Sequence, residues 1–244
     1  MKTGLVSVTF RKYSPERIIE LVKQAELDGI EWGGDIHVPA GDTDTARRIA
    51  HQMRRARLET ISYGSYYRAG DEENFEAVLR TAEALGTQNI RIWAGSGGSR
   101  DVSAKERARI VSNVQRAAAA AKPYGITLSF EYHGETLTDT QASAVQLLDE
   151  VGMENVYIYW QPLRNTDHSQ NIKNIQELSR KNKLMNIHAY HWVGDDVLYL
   201  QDGFSFWREY LQNAAAHAVL LEFVKDDCTE SFLRDAKTLK ELVE

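Results

Sequence analysis

The residues Leu128-Ser129-Phe130-Glu131-Tyr132-His133-Gly134-Glu135 form an apolar run that ends in a carboxylate, a histidine and a second carboxylate. Its alternation of apolar and polar residues predicts a β-strand over 126–131, because successive side chains of a strand point to opposite faces. Two later apolar runs end in a similar way, at His188 and at Glu222. If these three strand ends meet in space, they form a metal-binding site or an acid/base site.

The rest of the chain repeats one rhythm, in which apolar runs alternate with amphipathic segments at a spacing of roughly thirty residues. Ser14-Pro15 starts the first helix with a capping serine before a first-turn proline, and Gly86 ends a later helix. No linker-like or low-complexity segment interrupts the pattern. The sequence therefore predicts an α/β fold of the (β/α)8 TIM-barrel type, with residues 1–244 in a single domain. The first strand is expected over 5–10 and the eighth over 218–224.

Composition and charge exclude several classes of partner. The 244 residues carry a formal net charge of -6, which argues against nucleic-acid or membrane-surface binding, because both depend on clustered Lys and Arg. The first βα turn lacks the G-x-G-x-x-G pattern of dinucleotide-binding folds. A single cysteine, Cys228, excludes an internal disulfide framework, and no apolar stretch approaches the ~18 residues of a membrane span. We expect a cytoplasmic protein with a small-molecule partner, and a homo-oligomer stays open.

Alternation along the strands places several polar side chains inside the barrel. When the apolar residues of each strand face the helices, six polar or charged residues face the barrel axis: Glu31, Arg91, Glu131, Gln161, His188 and Glu222. Ordinary barrel interiors are filled mainly by branched apolar residues, and burying polar groups is costly unless they pair or bind a ligand. Arg91 and Glu31 are best explained as a buried structural ion pair.

The other four interior residues come last or nearly last in their strands. They are Glu131, Gln161, His188 and Glu222, and active sites of these barrels lie at that C-terminal face. Carboxylate and amide oxygens with an imidazole nitrogen can surround one divalent metal ion, and the set suits Mn²⁺, Mg²⁺, Co²⁺ or Zn²⁺. The sequence does not choose among these metals.

Aromatic, histidine and arginine residues gather near the same strand ends. They are candidates for substrate binding, because aromatic faces pack against the C–H groups of a small molecule and exclude water. The candidates are Trp32, His37, Tyr63, Arg91, Trp93, His133, Trp160, His191 and Trp192. The run Gly95-Ser96-Gly97-Gly98-Ser99-Arg100 has the composition of a phosphate-binding loop. It follows the fourth strand, whereas barrel phosphate sites usually follow the seventh and eighth, so phosphate binding there is disfavoured.

The ordered set of strand ends resembles that of the xylose isomerase-like TIM barrels, the sugar phosphate isomerase/epimerase superfamily. The resemblance is carried by Glu131 with His133, by His188 in Asn186-Ile187-His188-Ala189-Tyr190, and by Glu222 in Leu221-Glu222-Phe223. It implies that Glu131, His188 and Glu222 bind the metal and that the two glutamates move protons on opposite sides of a sugar carbon. The implied activity is isomerisation or epimerisation of a ketose or related keto-sugar or polyol through an enediolate.

One position departs from the family pattern. The ketose epimerases of the superfamily typically end the sixth strand in an aspartate ligand, whereas this chain has Gln161. A neutral amide oxygen leaves the site with one negative charge fewer, so weaker metal binding is expected.

Three other functions are alternatives to isomerisation or epimerisation. Loss of a β-hydroxyl from the same enolate would make the protein a dehydratase of a keto-inositol-type substrate. A weakened metal site would suit a non-catalytic sugar-binding protein. An apurinic endonuclease-like phosphodiesterase is disfavoured, because it needs a multi-metal cluster and a basic surface, whereas the chain has seven histidines and a net negative charge.

Overall fold

The computed structural model describes residues 1–70, 73–163 and 166–244, and its strands close into a parallel barrel. The barrel strands are β1 (Lys2–Val6), β2 (Gly29–Gly33), β3 (Glu59–Gly64), β4 (Asn89–Ile92), β5 (Thr127–Glu131), β6 (Val156–Trp160), β7 (Leu184–Ala189) and β10 (Ala218–Leu221). Each strand pairs in parallel with the next, and β10 pairs with β1 to close the ring. This confirms the predicted single-domain TIM barrel.

In the part of the chain that the structure describes, eight α-helices surround the barrel, and their ends follow from local sequence. They are α1 (Pro15–Gln24), α2 (Thr43–Ala56), α3 (Phe75–Leu85), α4 (Ala104–Ala121), α5 (Gln141–Val151), α6 (His168–Arg180), α7 (Phe204–Gln212) and α8 (Thr229–Val243). The Ser14 side chain caps α1 by accepting the N–H of Arg17, and Pro15 occupies the first turn. Gly86 ends α3 at φ 75°, a left-handed conformation that glycine adopts without steric cost. Within the described residues, no helix combines the length and the apolar content that a membrane span requires.

Two strand predictions were wrong at their ends. The first strand was expected over 5–10, but β1 ends at Val6 and Ser7–Phe10 form a buried 3₁₀ turn. A short apolar run reads alike as a strand or as a buried helical turn, so periodicity alone cannot separate the two. The last barrel strand was expected to reach residue 224, but Phe223 has φ 59°, and this left-handed residue prevents the strand from continuing.

One further element was not predicted from the sequence. After β7 the chain forms a short antiparallel hairpin, β8 (His191–Val193) and β9 (Asp196–Leu198), which stands at the C-terminal face of the barrel. The N–H of Leu200, just beyond this hairpin, donates to Oδ1 of Asp235 on α8 at 2.9 Å. Asp235 therefore fixes the end of the hairpin segment to the helix layer.

The interior of the barrel contains a hydrogen-bonded polar layer centred on the side chain of Asn89. The Asn89 amide nitrogen donates to Oγ of Ser129 at 2.7 Å and to Oγ1 of Thr127 at 2.9 Å. Its Oδ1 accepts from Oγ of Ser62 and from the Tyr159 hydroxyl, each at 3.1 Å. Both the amide nitrogen and the amide oxygen of Asn89 are therefore paired, so this buried side chain is satisfied.

Asp235 gives a prediction about stability and pH. Burial raises the pKa of Asp235 to about 6, against the opposing effects of the Leu200 N–H and Arg234. A folded-state pKa above the unfolded value means that the folded protein binds more protons, so this carboxyl group costs stability progressively as pH rises from about 4 to above 6. We expect Asp235→Asn to become more stable relative to the wild type over that range, by up to about 3 kcal/mol.

Urea unfolding at pH 4.5 and pH 7.5 measures this difference. The matched control is Asp149→Asn, because the Asp149 carboxylate is 65% exposed and pairs with Lys181 at the surface. Stability curves for Asp235→Asn and the wild type that stay parallel between the two pH values would contradict the prediction.

Candidate active site and metal centre

The structure brings together the strand ends that the sequence singled out. Glu131 ends β5, His188 lies near the end of β7, and Glu222 directly follows β10. These side chains are buried, and one ligand atom of each lies within 4.8 Å of the others. Gln161, directly after β6, lies beside them. We call these four residues the polar ring.

The spacing within the polar ring fits one small divalent cation. Nδ1 of His188 lies 3.2 Å from Oε1 of Gln161, 3.2 Å from Oε2 of Glu222 and 3.5 Å from Oε1 of Glu131. Ligand atoms about 2.1 Å from a common metal are separated by about 3.0–3.4 Å in tetrahedral or octahedral sites. The donor atoms therefore lie near the distances that a shared metal ion requires.

Gln161, the departure from the family pattern, presents its oxygen to the polar ring. Its amide nitrogen donates to the backbone carbonyl of Tyr132 at 2.6 Å, and that bond turns Oε1 toward His188. A neutral amide oxygen is a ligand that Mg²⁺, Mn²⁺ and related cations accept. The residues present thus fit one divalent metal, with two carboxylates, one amide oxygen and one imidazole.

A buried cation holds Glu131 in place from below. Arg91 pairs with Oε1 of Glu31 through Nε at 2.7 Å and with Oε2 of Glu131 through Nη1. The indole N–H of Trp93 donates to the same Oε2 at 2.5 Å. The predicted Glu31–Arg91 ion pair is confirmed, and it extends to Glu131. Burial alone would raise the pKa of Glu131, but Arg91 above all outweighs it and lowers that pKa to about 2.

His188 has the opposite electrostatic environment. Burial would lower the pKa of His188, but Glu222 and the other surrounding carboxylates outweigh burial and raise the pKa well above its usual value. A metal ion that binds at Nδ1 therefore competes with a proton, which must leave that nitrogen first.

This charge state predicts that metal binding depends on pH. A raised pKa means that His188 holds its proton up to a higher pH, and Mn²⁺ must displace that proton to bind. We therefore expect Mn²⁺ to bind more weakly at pH 6 than at pH 8 and to release a proton at pH 7. Titration calorimetry in two buffers of different ionisation enthalpy measures the released proton. His188→Gln should lose the proton release, whereas His51→Gln, at an exposed position on α2, should keep it. Equal release from both variants would contradict the prediction.

A cavity of about 1240 Å³ opens directly above the polar ring. Five of the predicted substrate-binding residues line it: Arg91, Trp93, His133, His191 and Trp192. The His133 ring stacks on Trp93 with ring centroids 4.3 Å apart. A cavity that lies directly above the predicted metal ligands is placed where a substrate could bind.

The other four predicted substrate-binding residues do not line the cavity, and their expected role is corrected. Trp32, Tyr63 and Trp160 are fully buried, each next to an inward-facing residue, so their side chains point outward to the helices. Trp160 packs against Trp207 and Tyr210, and the Tyr63 hydroxyl donates to the carbonyl of Val38. His37 is also buried, with Nδ1 2.9 Å from Oγ of Ser7.

Sequence reasoning missed the outer wall of the cavity. That wall includes Tyr190 before the hairpin, His168 at the start of α6, and Phe206, Trp207 and Tyr210 on α7, together with Phe223. Phe223 has the left-handed conformation, and its ring lies 5.9 Å from that of Trp192. A bulky residue in that region is strained, and such strain concentrates at functional sites. No local pattern identifies these residues, because their helices and loops reach the cavity only in the folded barrel.

The glycine-rich run 95–100 is closed by a side chain of the protein itself. Oδ2 of Asp139 accepts the N–H of Ser99 at 2.9 Å. A carboxylate in that place opposes a bound phosphate by charge. This arrangement agrees with the expectation from the sequence that the run is not a phosphate site.

Comparison with known proteins gives matches over most of the chain. A family model described as xylose isomerase-like TIM barrel matches residues 19–218. The chain is 28% identical over 169 residues to 3-dehydroshikimate dehydratase from Bacillus anthracis, and the match covers 65% of this chain and 60% of the relative's length.

Solved structures share the whole fold. The crystal structure of the probable 3-DHS dehydratase AsbF from Bacillus anthracis has a TM-score of 0.84 at 20% identity, covering 98% of this chain and 99% of that one. L-ribulose 3-epimerase has a TM-score of 0.75 at 17% identity, with coverage of 99% and 94%. At these identities the structural likeness shows a common fold.

Proposed function

The chain belongs to the xylose isomerase-like TIM barrel family, and from this premise we propose that it is a metal-dependent enzyme acting beside the carbonyl group of a polyhydroxylated substrate. The observation that carries the proposal is the polar ring at the floor of the cavity, where Glu131, Gln161 and Glu222 surround Nδ1 of His188 at 3.2–3.5 Å. Sugars, polyols and cyclic hydroxy-ketones are the small molecules that fit such chemistry.

The residues of the polar ring have different roles in the proposed reaction. Glu131, Gln161, His188 and Glu222 would hold the metal, which when bound supplies a Lewis acid that stabilises an enolate. Oε2 of Glu131 already accepts from Arg91 and Trp93, and a carboxylate whose charge is so stabilised is a poor base. Within the polar ring Glu222 contacts His188, and among the described residues it has no pair of donors comparable to Arg91 and Trp93. We therefore assign proton removal to Glu222.

One base on one side of the substrate favours dehydration. The C–H bond beside the carbonyl breaks, its proton goes to Glu222, and its electron pair forms the enolate. The enolate then forms a C=C bond as the β-hydroxyl leaves, and a donated proton turns that hydroxyl into water. His133, on the cavity wall against Trp93, is the residue we assign to donate this proton.

The relatives support a cyclic substrate for this reaction. The match at 28% identity is to 3-dehydroshikimate dehydratase, and the likeness to the probable 3-DHS dehydratase covers nearly the whole chain. We propose cyclic β-hydroxy-ketones, of the 3-dehydroshikimate or keto-inositol type, as the substrate class.

Epimerisation or isomerisation of a keto-sugar is the second candidate. Glu131 and Glu222 approach His188 at 3.5 Å and 3.2 Å, so two carboxylates lie at one centre, as proton removal and return on opposite faces of a carbon would require. The fold likeness to L-ribulose 3-epimerase supports this candidate. It requires Glu131 to give up the hydrogen bonds that hold its Oε2.

Proton NMR in D₂O separates the candidates. Protein supplied with Mn²⁺ is incubated with 3-dehydroshikimate, keto-inositols and ketoses, and the products are read after the metal is removed. Dehydration gives a C=C bond and loss of the hydroxyl group, whereas epimerisation gives an inverted carbon that carries deuterium. Absence of both reactions and of deuterium exchange across this panel would contradict the proposed function and favour a non-catalytic sugar-binding protein.

A further inference from the structure

Two buried polar atoms beside the polar ring have no role in the proposed reaction. Oε2 of Glu31 and Nε2 of His188 have no hydrogen-bond partner among residues 1–70, 73–163 and 166–244. Both side chains are completely buried. An unsatisfied buried polar atom lowers the stability of the fold by about 1–3 kcal/mol. Two such atoms close together therefore indicate a function that offsets this cost.

The two residues face each other across a short gap. Nε2 of His188 lies 3.6 Å from Oε1 of Glu31, slightly beyond hydrogen-bond distance. The other ring nitrogen, Nδ1, faces the three oxygens of the polar ring. A neutral imidazole carries one proton, so a ring that binds a metal through Nδ1 must carry its proton on Nε2. That N–H needs an acceptor, and Glu31 is the carboxylate placed to provide it.

A simple counter-ion role for Glu31 does not account for its position. Arg91 already pairs with Glu131, so a second buried carboxylate on the same guanidinium gives the trio a net negative charge. Removing that extra charge from water is costly unless another group offsets the cost. The N–H of His188 is such a group, since Nε2 of His188 lies 3.6 Å from Oε1 of Glu31.

We propose that Glu31 is a positioning residue that accepts the Nε2–H of His188 and so fixes the tautomer that leaves Nδ1 free for the metal. Through Arg91 the same carboxylate also holds Glu131, because Nε of Arg91 binds Glu31 and its Nη1 binds Glu131. One residue on β2 therefore orients ligands on β5 and β7. The inference rests on the metal site of the proposed function and not on its reaction.

Zinc affinity and the ¹⁵N NMR signals of His188 test the role of Glu31. Zn²⁺ alone is the probe, because it is diamagnetic and binds imidazole. We expect Glu31→Gln to weaken Zn²⁺ binding about 10–100-fold in calorimetry, the range found for outer partners of metal ligands. In the Zn²⁺-loaded wild type, His188 should show one tautomer with a slowly exchanging Nε2–H, and in Glu31→Gln that proton should exchange faster.

Ser62→Ala is the matched control. Ser62 is a buried polar residue of the same barrel interior, and its hydroxyl donates to Asn89 below the polar ring. This variant should lose stability and keep its Zn²⁺ affinity. If Glu31→Gln likewise loses only stability, with unchanged affinity and unchanged His188 signals, Glu31 is a counter-ion and the inference is overturned.

Two further outcomes are separable. If the wild-type protein binds no Zn²⁺, the inference and the metal site are overturned together. If only catalysis fails, the inference stands, because the calorimetry and the NMR measurement use no substrate. If Glu31→Gln does not fold, Glu31→Asp replaces it, since the shorter side chain keeps its charge near Arg91 and draws back from His188. Unchanged Zn²⁺ affinity in Glu31→Asp also overturns the inference.

Discussion

Arg91→Met is expected to lower the free energy of unfolding by about 3–5 kcal/mol, the usual cost of removing one partner from a buried ion pair. The Arg91 guanidinium is 2% exposed and lies between Glu31 and Glu131, which are also buried. Methionine fills much of the same volume but leaves two carboxylates without their cation. Those carboxylates must then be protonated or be held as unpaired charges, and both cost free energy.

Thermal and urea unfolding measure the loss, with Arg80→Met as the matched control. Arg80 makes an i,i+4 pair with Glu76 on the surface of α3, where both side chains are 68% exposed, so the same substitution there should cost less than about 1 kcal/mol. Arg91→Lys should fall between the two, because lysine keeps the charge but cannot contact both carboxylates in a fixed fork. An Arg91→Met loss no larger than that of Arg80→Met would show that the buried pairs are not important to stability.

Glu222→Gln is expected to slow proton removal from the substrate by about 10²–10⁴-fold, the usual contribution of a positioned general base. Glutamine still offers an oxygen to the metal but cannot take up a proton at neutral pH. Metal affinity should therefore fall much less than the rate of deuterium exchange into the substrate. A large loss of exchange with a small loss of affinity would identify Glu222 as a base and not only as a metal ligand.

Deuterium exchange followed by NMR, with metal affinity measured on the same preparations, tests this assignment. Glu135→Gln is the control, because Glu135 lies in the loop after β5 with an exposed side chain outside the polar ring, and its exchange rate should match that of the wild type. Glu131→Gln should also lose exchange, but together with metal affinity. If Glu131→Gln loses exchange but keeps its metal affinity, while Glu222→Gln keeps its exchange, the base is Glu131. That result would support the epimerase candidate.

The sequence predicted more of the fold than of the substrate chamber. Strand and helix alternation identified the barrel, since each unit repeats a local pattern that needs no long-range contact. The period of two within each strand also told which residues face the axis, and Glu31, Arg91, Glu131 and His188 were placed there correctly. The same rule excludes Trp32, Tyr63 and Trp160 from the cavity, because each is next to an inward-facing residue. Alternation along a strand is therefore a better guide to the cavity lining than nearness to a strand end.

The sequence alone assigns each polar side chain to one face and one end of the barrel, because both depend on local alternation and on position along one strand. The distances come from the three-dimensional packing of the strands. His188 lies 3.2–3.5 Å from its three neighbours, Arg91 contacts Glu131, and the carbonyl of Tyr132 turns the amide of Gln161. The tertiary structure also decides the outer cavity wall, built from α6, α7 and the hairpin. Distances between strands far apart in the chain depend on how the barrel closes and how its helices pack, and no local pattern encodes them.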